Sequence, residues 1–290
     1  MESRYGRPLS FGLFPAPNAA DLGLVRSLAR YADEAGLELI GIQDHPYQRR
    51  YVDTWALIAD LIARTERVRF FPDVANLPLR GPAMIAKHAA TLDVLSGGRF
   101  ELGLGSGAFW EGIGAMGGPV RSGREALESL EEAIRICRLF WSGDRSIAFE
   151  GKHYRVKGLH PGPPPAHRIE IWLGVSKPRS LALTGRLADG WVPSSTWAKP
   201  HLVPDMMRRI DDAADEAGRD PGEVRRLLNV AGRIVDGDVA EPLHGPPEHW
   251  IEMLTGFAEE LGFDTFLFWP QEEPGAQLER FATEVVPALR

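Results

Sequence analysis

The stretch "IEIWLGVSKPRSLALTGRLADGWVPSS" (169–195) contains a full turn of the fold. Residues 169–174 read as a short strand, apolar on both faces, as a strand covered on both sides must be. Pro178 opens a helical run to 188, at the helix position where a missing N–H costs little. Residues 190–194 read as the next strand. Strand, helix and strand in 26 residues make a right-handed βαβ unit with parallel strands.

The same alternation runs along the chain. Strand-like runs fall at 9–16, 37–44, 68–76, 99–105, 227–235 and 264–269. Helical patterns fall at 21–35, 53–64, 82–95, 122–141, 202–217, 247–261 and 275–289. With the opening unit, that makes eight strand–helix pairs without a visible linker. The spacing predicts an α/β protein, a (β/α)8 TIM barrel forming one domain over 1–290. A doubly wound open sheet is the competitor. One irregularity, 142–168, holds a predicted hairpin (147–149 with 153–156) and a proline run. It reads as an insertion at the barrel mouth, between the fourth helix and the fifth strand.

Composition narrows the class. The chain has 290 residues, 44% apolar and 25% charged, with a net charge of −7. That acidic balance, with scattered Lys and Arg, argues against a nucleic-acid partner. No run approaches the ~18–20 apolar residues of a membrane span, and the first ten residues lack signal-peptide character. The single Cys137 fits a reducing, cytoplasmic setting and sits on an apolar helical stripe, where packing is its role. The eight histidines show no metal-ligand spacing, so no metal is expected. A small molecule is the expected partner.

In such a barrel, chemistry gathers at the C-terminal ends of the strands. The second strand ends in Asp44-His45, readable as an acid–base pair, a ligand-orienting pair or a capped turn. The third delivers Asp73 and Asn76 and then "LPLRGP"; the seventh brings Asn229, with Arg233 nearby. After the fourth strand, "GLGSG" (103–107) is either a close approach to a flat ligand or a tight turn. After the fifth, "GVSKPRS" (174–180) precedes a helix start, where N–H groups and the dipole favour an anion. Lys177 and Arg179 add charge; the bland alternative is an ordinary turn. Trp110, Trp197 and Trp269 are either pocket lining or core.

Three segments carry a resemblance: 72–110, 169–195 and the closing "GFDTFLFWP" (262–270). Together they resemble the luciferase-like monooxygenase superfamily, almost end to end. The resemblance implies a barrel that binds coenzyme F420 or, as the alternative, FMN, commonly as a homodimer. Asp-His after the second strand resembles the deazaflavin-using branch. It implies Asp44 as a coenzyme-holding residue and His45 as the catalytic group beside the ring. Asn76-Leu77 match a strand end where the family carries a bulge with a non-prolyl cis peptide. Gly105, Ser106 and Gly107 match the loop beside the coenzyme. Gly174, Val175, Ser176 and Lys177, with Arg179 near, match a phosphate loop. The chain departs from the family's sugar-phosphate dehydrogenases at Ala108, where those carry a carboxylate; either Glu111, the next acid, substitutes as the catalytic carboxylate, or the substrate is a different one. The implied activity is hydride transfer between F420 and a small organic substrate. The rival readings are a reduced-FMN monooxygenase and a barrel that binds a ligand without catalysis.

Overall fold

A computed structural model describes residues 1–239 and 241–290. The elements run in chain order as β1 (Ser10–Leu13), α1 (Leu22–Glu34), β2 (Leu39–Ile42), α2 (Thr54–Ile62), β3 (Arg69–Pro72), β4 (Ala75–Asn76), α3 (Pro82–Ser96), β5 (Leu102–Gly105), α4 (Trp110–Ala115) and α5 (Gly123–Phe140). Then come β6 (Ile147–Glu150), β7 (Arg155–Leu159), β8 (Ile171–Leu173), α6 (Pro178–Leu187), β9 (Gly190–Trp191), α7 (Val203–Glu216), β10 (Arg225–Ile234), β11 (His244–Gly245), α8 (Pro247–Glu259), β12 (Thr265–Pro270), α9 (Pro274–Arg280) and α10 (Val286–Leu289). Four of the helices, α3, α6, α8 and α9, begin on a proline, where no intrahelical N–H bond is lost.

The sheet closes on itself, which rejects the open-sheet alternative. Pairing runs β3-β2-β1-β12-β10-β9-β8-β5-β4, and the barrel pairs within this path are parallel. Because β3 and β4 are two pieces of the third barrel strand, the two ends of that path meet; a parallel bridge from Phe70 to Phe100 ties them again. Phe11, Ile40, Phe70, Leu102 and Ile171 face outward into the layer beneath the helices. Phe14, Leu39, Phe71, Trp172, Val192, Leu227 and Leu267 fill the barrel itself. Each such side chain contributes roughly 1.5–3 kcal/mol of burial. A hydrophobic floor of this kind leaves only the strand ends for a ligand.

The segment 142–168 corrects an expectation. It forms the antiparallel hairpin β6–β7, but the hairpin lies on the outer flank of α5 and not at the mouth. Glu132 of α5 accepts hydrogen bonds from the N–H groups of Lys152, His153 and Tyr154. Downstream, Asp93 in the last turn of α3 accepts the N–H groups of Ala166 and His167. The reason is topological. This segment leaves the end of a helix and enters the start of a strand, so both its ends sit on the face opposite the mouth. The expected last helix, 275–289, is also interrupted by a π-helical turn at Phe281–Val285.

Candidate active site

The site begins where β2 runs out. Leu39–Ile42 is buried throughout, and the chain then delivers Asp44, 1% exposed. A buried carboxylate is tolerated only when paired and hydrogen-bonded. Here Oδ2 accepts from Asn76 N at 3.0 Å and from Arg80 Nε at 3.0 Å, and Oδ1 accepts from Arg80 Nη2 at 3.1 Å. Arg80 reaches on to Asp53, which also caps α2 through the N–H groups of Trp55 and Ala56. Asp44 is therefore the clamp that fixes the Asn76–Arg80 segment. The sequence reading gave Arg80 no role, although it is the one basic residue between 73 and 86. A lone charge in an apolar run needs a partner, and that was the signal.

The third barrel strand breaks between its two pieces, and the break is decisive. The cis peptide lies at Asp73–Val74, not at Asn76-Leu77, so the family match is displaced by three residues. Two successive side chains, Asp73 and Val74, both face the inside, Asp73 against Gly41 and Val74 against Gly103, Gly105 and Gly174. Val74 occupies space that three glycines vacate: a Cβ on Gly105 would come within 2.6 Å of its Cγ2, and one on Gly174 within 2.9 Å. On Gly103 it would meet Pro72 O at 2.1 Å. The glycines of "GLGSG" thus answer first to the protein's own packing, and Val74 forms the wall that faces the cavity.

Three aromatic rings stand beside this wall. His45 lies 5.4 Å from Tyr47 and 5.2 Å from Phe109, centroid to centroid. The Tyr47 hydroxyl sits 3.3 Å from His45 Nδ1. Burial lowers the His45 pKa below that of an ordinary imidazole, with the Asp44 charge pulling the other way. His45 is therefore neutral at pH 7 and free to accept a proton or a hydrogen bond. Burial pushes the Tyr47 hydroxyl up to about 12, helped by Asp44, so it stays a donor.

One cavity collects most of the expected residues: Asp44, His45, Asn76, Gly105, Ser106, Gly107 and Gly174 all line it. Tyr47, Val74, Ala75, Ala108 and Phe109 complete it. Leu77 does not belong; it is buried in the outer core. Val175 is buried too, its carbonyl accepting from the Trp191 indole at 2.8 Å. Ser176, Lys177 and Arg179 are exposed at the start of α6, next to Gly174 on the same rim. No side chain caps α6; Pro178 has no N–H and Ser180 N donates to Lys177 O at 3.0 Å, which leaves the Arg179 N–H for an anion. Glu111 is exposed on the first turn of α4 and does not line the cavity. A second hollow opens at the ends of β9 and β10, lined by Ser195, Lys199, Arg233 and Glu272 among others.

The cavity encloses about 90 Å³, well below the roughly 300–1,000 Å³ of a pocket that encloses its ligand, so it fits one edge of a flat ring. Val74 and Ala75 give it an apolar wall, Asn76 Oδ1 is a buried acceptor without a partner among the described residues, and α6 starts on the same rim. Among the described residues no helix is long and apolar enough to cross a membrane, and no cluster of three or more His, Cys, Asp or Glu is placed to hold a metal.

This closed barrel with its cavity at the strand ends defines a ligand-binding (β/α)8 enzyme scaffold. The family model for luciferase-like monooxygenases matches residues 9–241; the chain belongs to that family, and with it to the oxidoreductases. Relatives include the F420-dependent glucose-6-phosphate dehydrogenase of Kineococcus radiotolerans, 28% identical over 236 residues, 79% of this chain and 69% of that protein. An uncharacterized protein of Mycobacterium tuberculosis is 32% identical over 189 residues, 64% of this chain and 62% of its own. A solved F420-dependent secondary alcohol dehydrogenase, in complex with an F420-acetone adduct, superposes with a TM-score of 0.87 at 17% identity, covering 98% of this chain and 99% of that one. A coenzyme F420-dependent tetrahydromethanopterin reductase from Methanopyrus kandleri gives 0.83 at 18% identity, covering 98% and 100%.

Proposed function

We propose that this barrel is a coenzyme F420-dependent oxidoreductase that moves a hydride between the deazaflavin and a small organic substrate. The observation that carries the reading is convergence. Asp44, His45, Asn76, the Gly105–Ser106–Gly107 loop and Gly174 share one cavity, with the open start of α6 on its rim. Relatives named for F420 use support it. Bound there, the coenzyme supplies the hydride chemistry; the protein's part is position and charge.

The roles follow from the geometry. Asp44 holds the Asn76–Arg80 segment and so fixes the wall. His45, neutral and buried, handles a proton or steadies charge beside the ring. The N–H groups around Ser176, with Lys177 and Arg179, receive the coenzyme's phosphate. Homodimeric assembly and a cytoplasmic location belong to the same proposal; sedimentation tests the first.

The test is a titration of the pure protein with F420 and with FMN. Tighter F420 binding is the expected result. Micromolar FMN binding without F420 binding would favour the reduced-FMN monooxygenase reading, which the FMN-bound enzymes among the structural neighbours support. Binding of neither would favour the non-catalytic barrel.

A further inference from the structure

The cavity at the strand ends holds few groups that can carry a proton. Among the described residues, Asp44, His45 and Tyr47 are the titratable side chains that line it. Asp44 is spent on Arg80 and on the Asn76 N–H. Ala108 brings no acid, and Glu111 stands outside the lining. That leaves His45 and Tyr47, which a tight turn brings together. Gln48 N donates to His45 O at 2.9 Å and closes a turn with Pro46 in its second position, where the fixed φ of proline favours turning. Folded back in this way, the Tyr47 hydroxyl lies 3.3 Å from His45 Nδ1. The ring is held from α4: a Cβ on Gly112 would come within 2.8 Å of Tyr47 Cγ, so Tyr47 packs on the helix where no side chain stands. Phe109, with its centroid 5.9 Å from Tyr47 and 5.2 Å from His45, completes the group.

We propose that Tyr47 is the positioning residue of His45: its hydroxyl donates to Nδ1 and so keeps the proton of the neutral imidazole on Nε2. The use of that state in catalysis rests on the oxidoreductase reading above; its geometry rests on the turn. A neutral imidazole has one N–H and one acceptor nitrogen. With Nδ1 occupied by Tyr47, Nε2 is left without a hydrogen bond among the described residues and meets a ligand only as a donor. During hydride transfer, charge develops on the oxygen of a carbonyl or alcohol substrate. An Nε2–H held in place beforehand donates a hydrogen bond to that oxygen and steadies it.

The surroundings keep both partners in the required state. Burial, with the Asp44 charge added, holds the proton on Tyr47 through the neutral range. Burial also keeps His45 neutral against the pull of Asp44. Asp44 is itself compensated by Arg80, which reaches on to Asp53. From α4, Glu111 points into solvent. The other walls bring only uncharged residues to the cavity: Val74, Ala75 and Asn76, the loop 105–109, and Gly174. No second acid or base therefore competes with Tyr47 for His45 inside the cavity.

The experiment is nitrogen-15 NMR of histidine-labelled, ligand-free protein above the His45 midpoint, with the signal assigned by its loss in His45→Ala. Wild type should show a protonated Nε2 and an unprotonated Nδ1 that accepts a hydrogen bond. In Tyr47→Phe, which keeps the ring, Nδ1 should move to the position of an acceptor without a donor. The bond favours the neutral imidazole, so its loss should also raise the midpoint by roughly half to one pH unit. Phe109→Leu removes the third ring and leaves the hydroxyl, so Nδ1 should stay where wild type has it. A protonated Nδ1 in wild type overturns the proposal. So does an Nδ1 that Tyr47→Phe leaves in place, or one that both variants move alike. Should Tyr47→Phe fail to fold, wild type grown with 3-fluorotyrosine takes its place: the more acidic phenol is a stronger donor and should shift Nδ1 toward the protonated position, and an unchanged Nδ1 overturns the proposal again. If wild type binds F420 and turns over secondary alcohols, Tyr47→Phe should lower kcat about tenfold, the worth of one hydrogen bond, with F420 affinity within about threefold. Equal kcat removes Tyr47 from the positioning role. If wild type binds no F420, the oxidoreductase reading falls on its own; there, as with an enzyme that takes none of these alcohols, Nδ1 alone decides.

Discussion

Arg80 grips both oxygens of Asp44, Nε to Oδ2 at 3.0 Å and Nη2 to Oδ1 at 3.1 Å. The pair joins the end of β2 to the loop after β4, and so decides where Asn76 sits. Breaking a buried pair leaves a bare charge. Arg80→Ala should cost about 3–5 kcal/mol in urea unfolding, and Asp44→Asn in that background should recover part of it. No recovery would mean that the ion pair is not what Arg80 contributes.

Val74 and Gly105 make a second linked pair. Gly105→Ala places a methyl 2.6 Å from Val74 Cγ2, and overpacking of that kind costs roughly 1–3 kcal/mol. Val74→Ala should relieve it. Gly103→Ala should resist the same rescue, because its clash is with the Pro72 carbonyl. Thermal unfolding of the four variants reads the difference.

His45→Ala should keep F420 affinity within about an order of magnitude and lower turnover roughly 10²–10⁴-fold. Turnover equal to wild type would remove His45 from the chemistry.

Lys177 is exposed at the start of α6. Lys177→Ala should weaken binding of a phosphate-bearing coenzyme by about 1 kcal/mol or less, and salt should erase the difference. A salt-independent loss would point to a specific contact instead.

His167 bridges two buried acids, Nδ1 to Asp93 at 2.7 Å and Nε2 to Glu101 at 3.1 Å. The bond to Glu101, with the charge of both acids, raises its pKa above the ordinary imidazole value, although burial opposes this. Because the folded-state pKa is the higher one, its contribution is full below the unfolded value and fades as pH rises through the folded one. His167→Gln should therefore cost most at pH 5–6 and least at pH 9. A cost that does not vary with pH would assign the role to packing alone.

Much of this was legible in the residues. Strands such as 37–44 and 169–174 announce themselves because burial on both faces demands continuous apolar runs. The helix start at Pro178, after Gly174, could be read because proline at a first helical position has the same effect in any fold. Asp44-His45 stood out because a charge at the end of a buried strand is costly without a reason. Arg80 was harder. Its role depends on a partner 36 residues away. Glu111 stands exposed on the first turn of α4, outside the cavity lining, because nearness in sequence to the glycine loop does not set which way a short helix turns its acid.

Sequence by itself determined the number of strand–helix pairs, the rim on which the conspicuous residues fall, and the family. The first two follow from hydrophobic period and from short-range backbone chemistry, which act within a few residues; the family came from the resemblance of 72–110, 169–195 and 262–270. Tertiary structure decided the rest: that the sheet closes, that 142–168 clings to α5, and that Asp73 and Val74 both point inward. These outcomes depend on which distant surfaces meet, and a chain's local preferences do not encode the direction of a side chain across a broken strand.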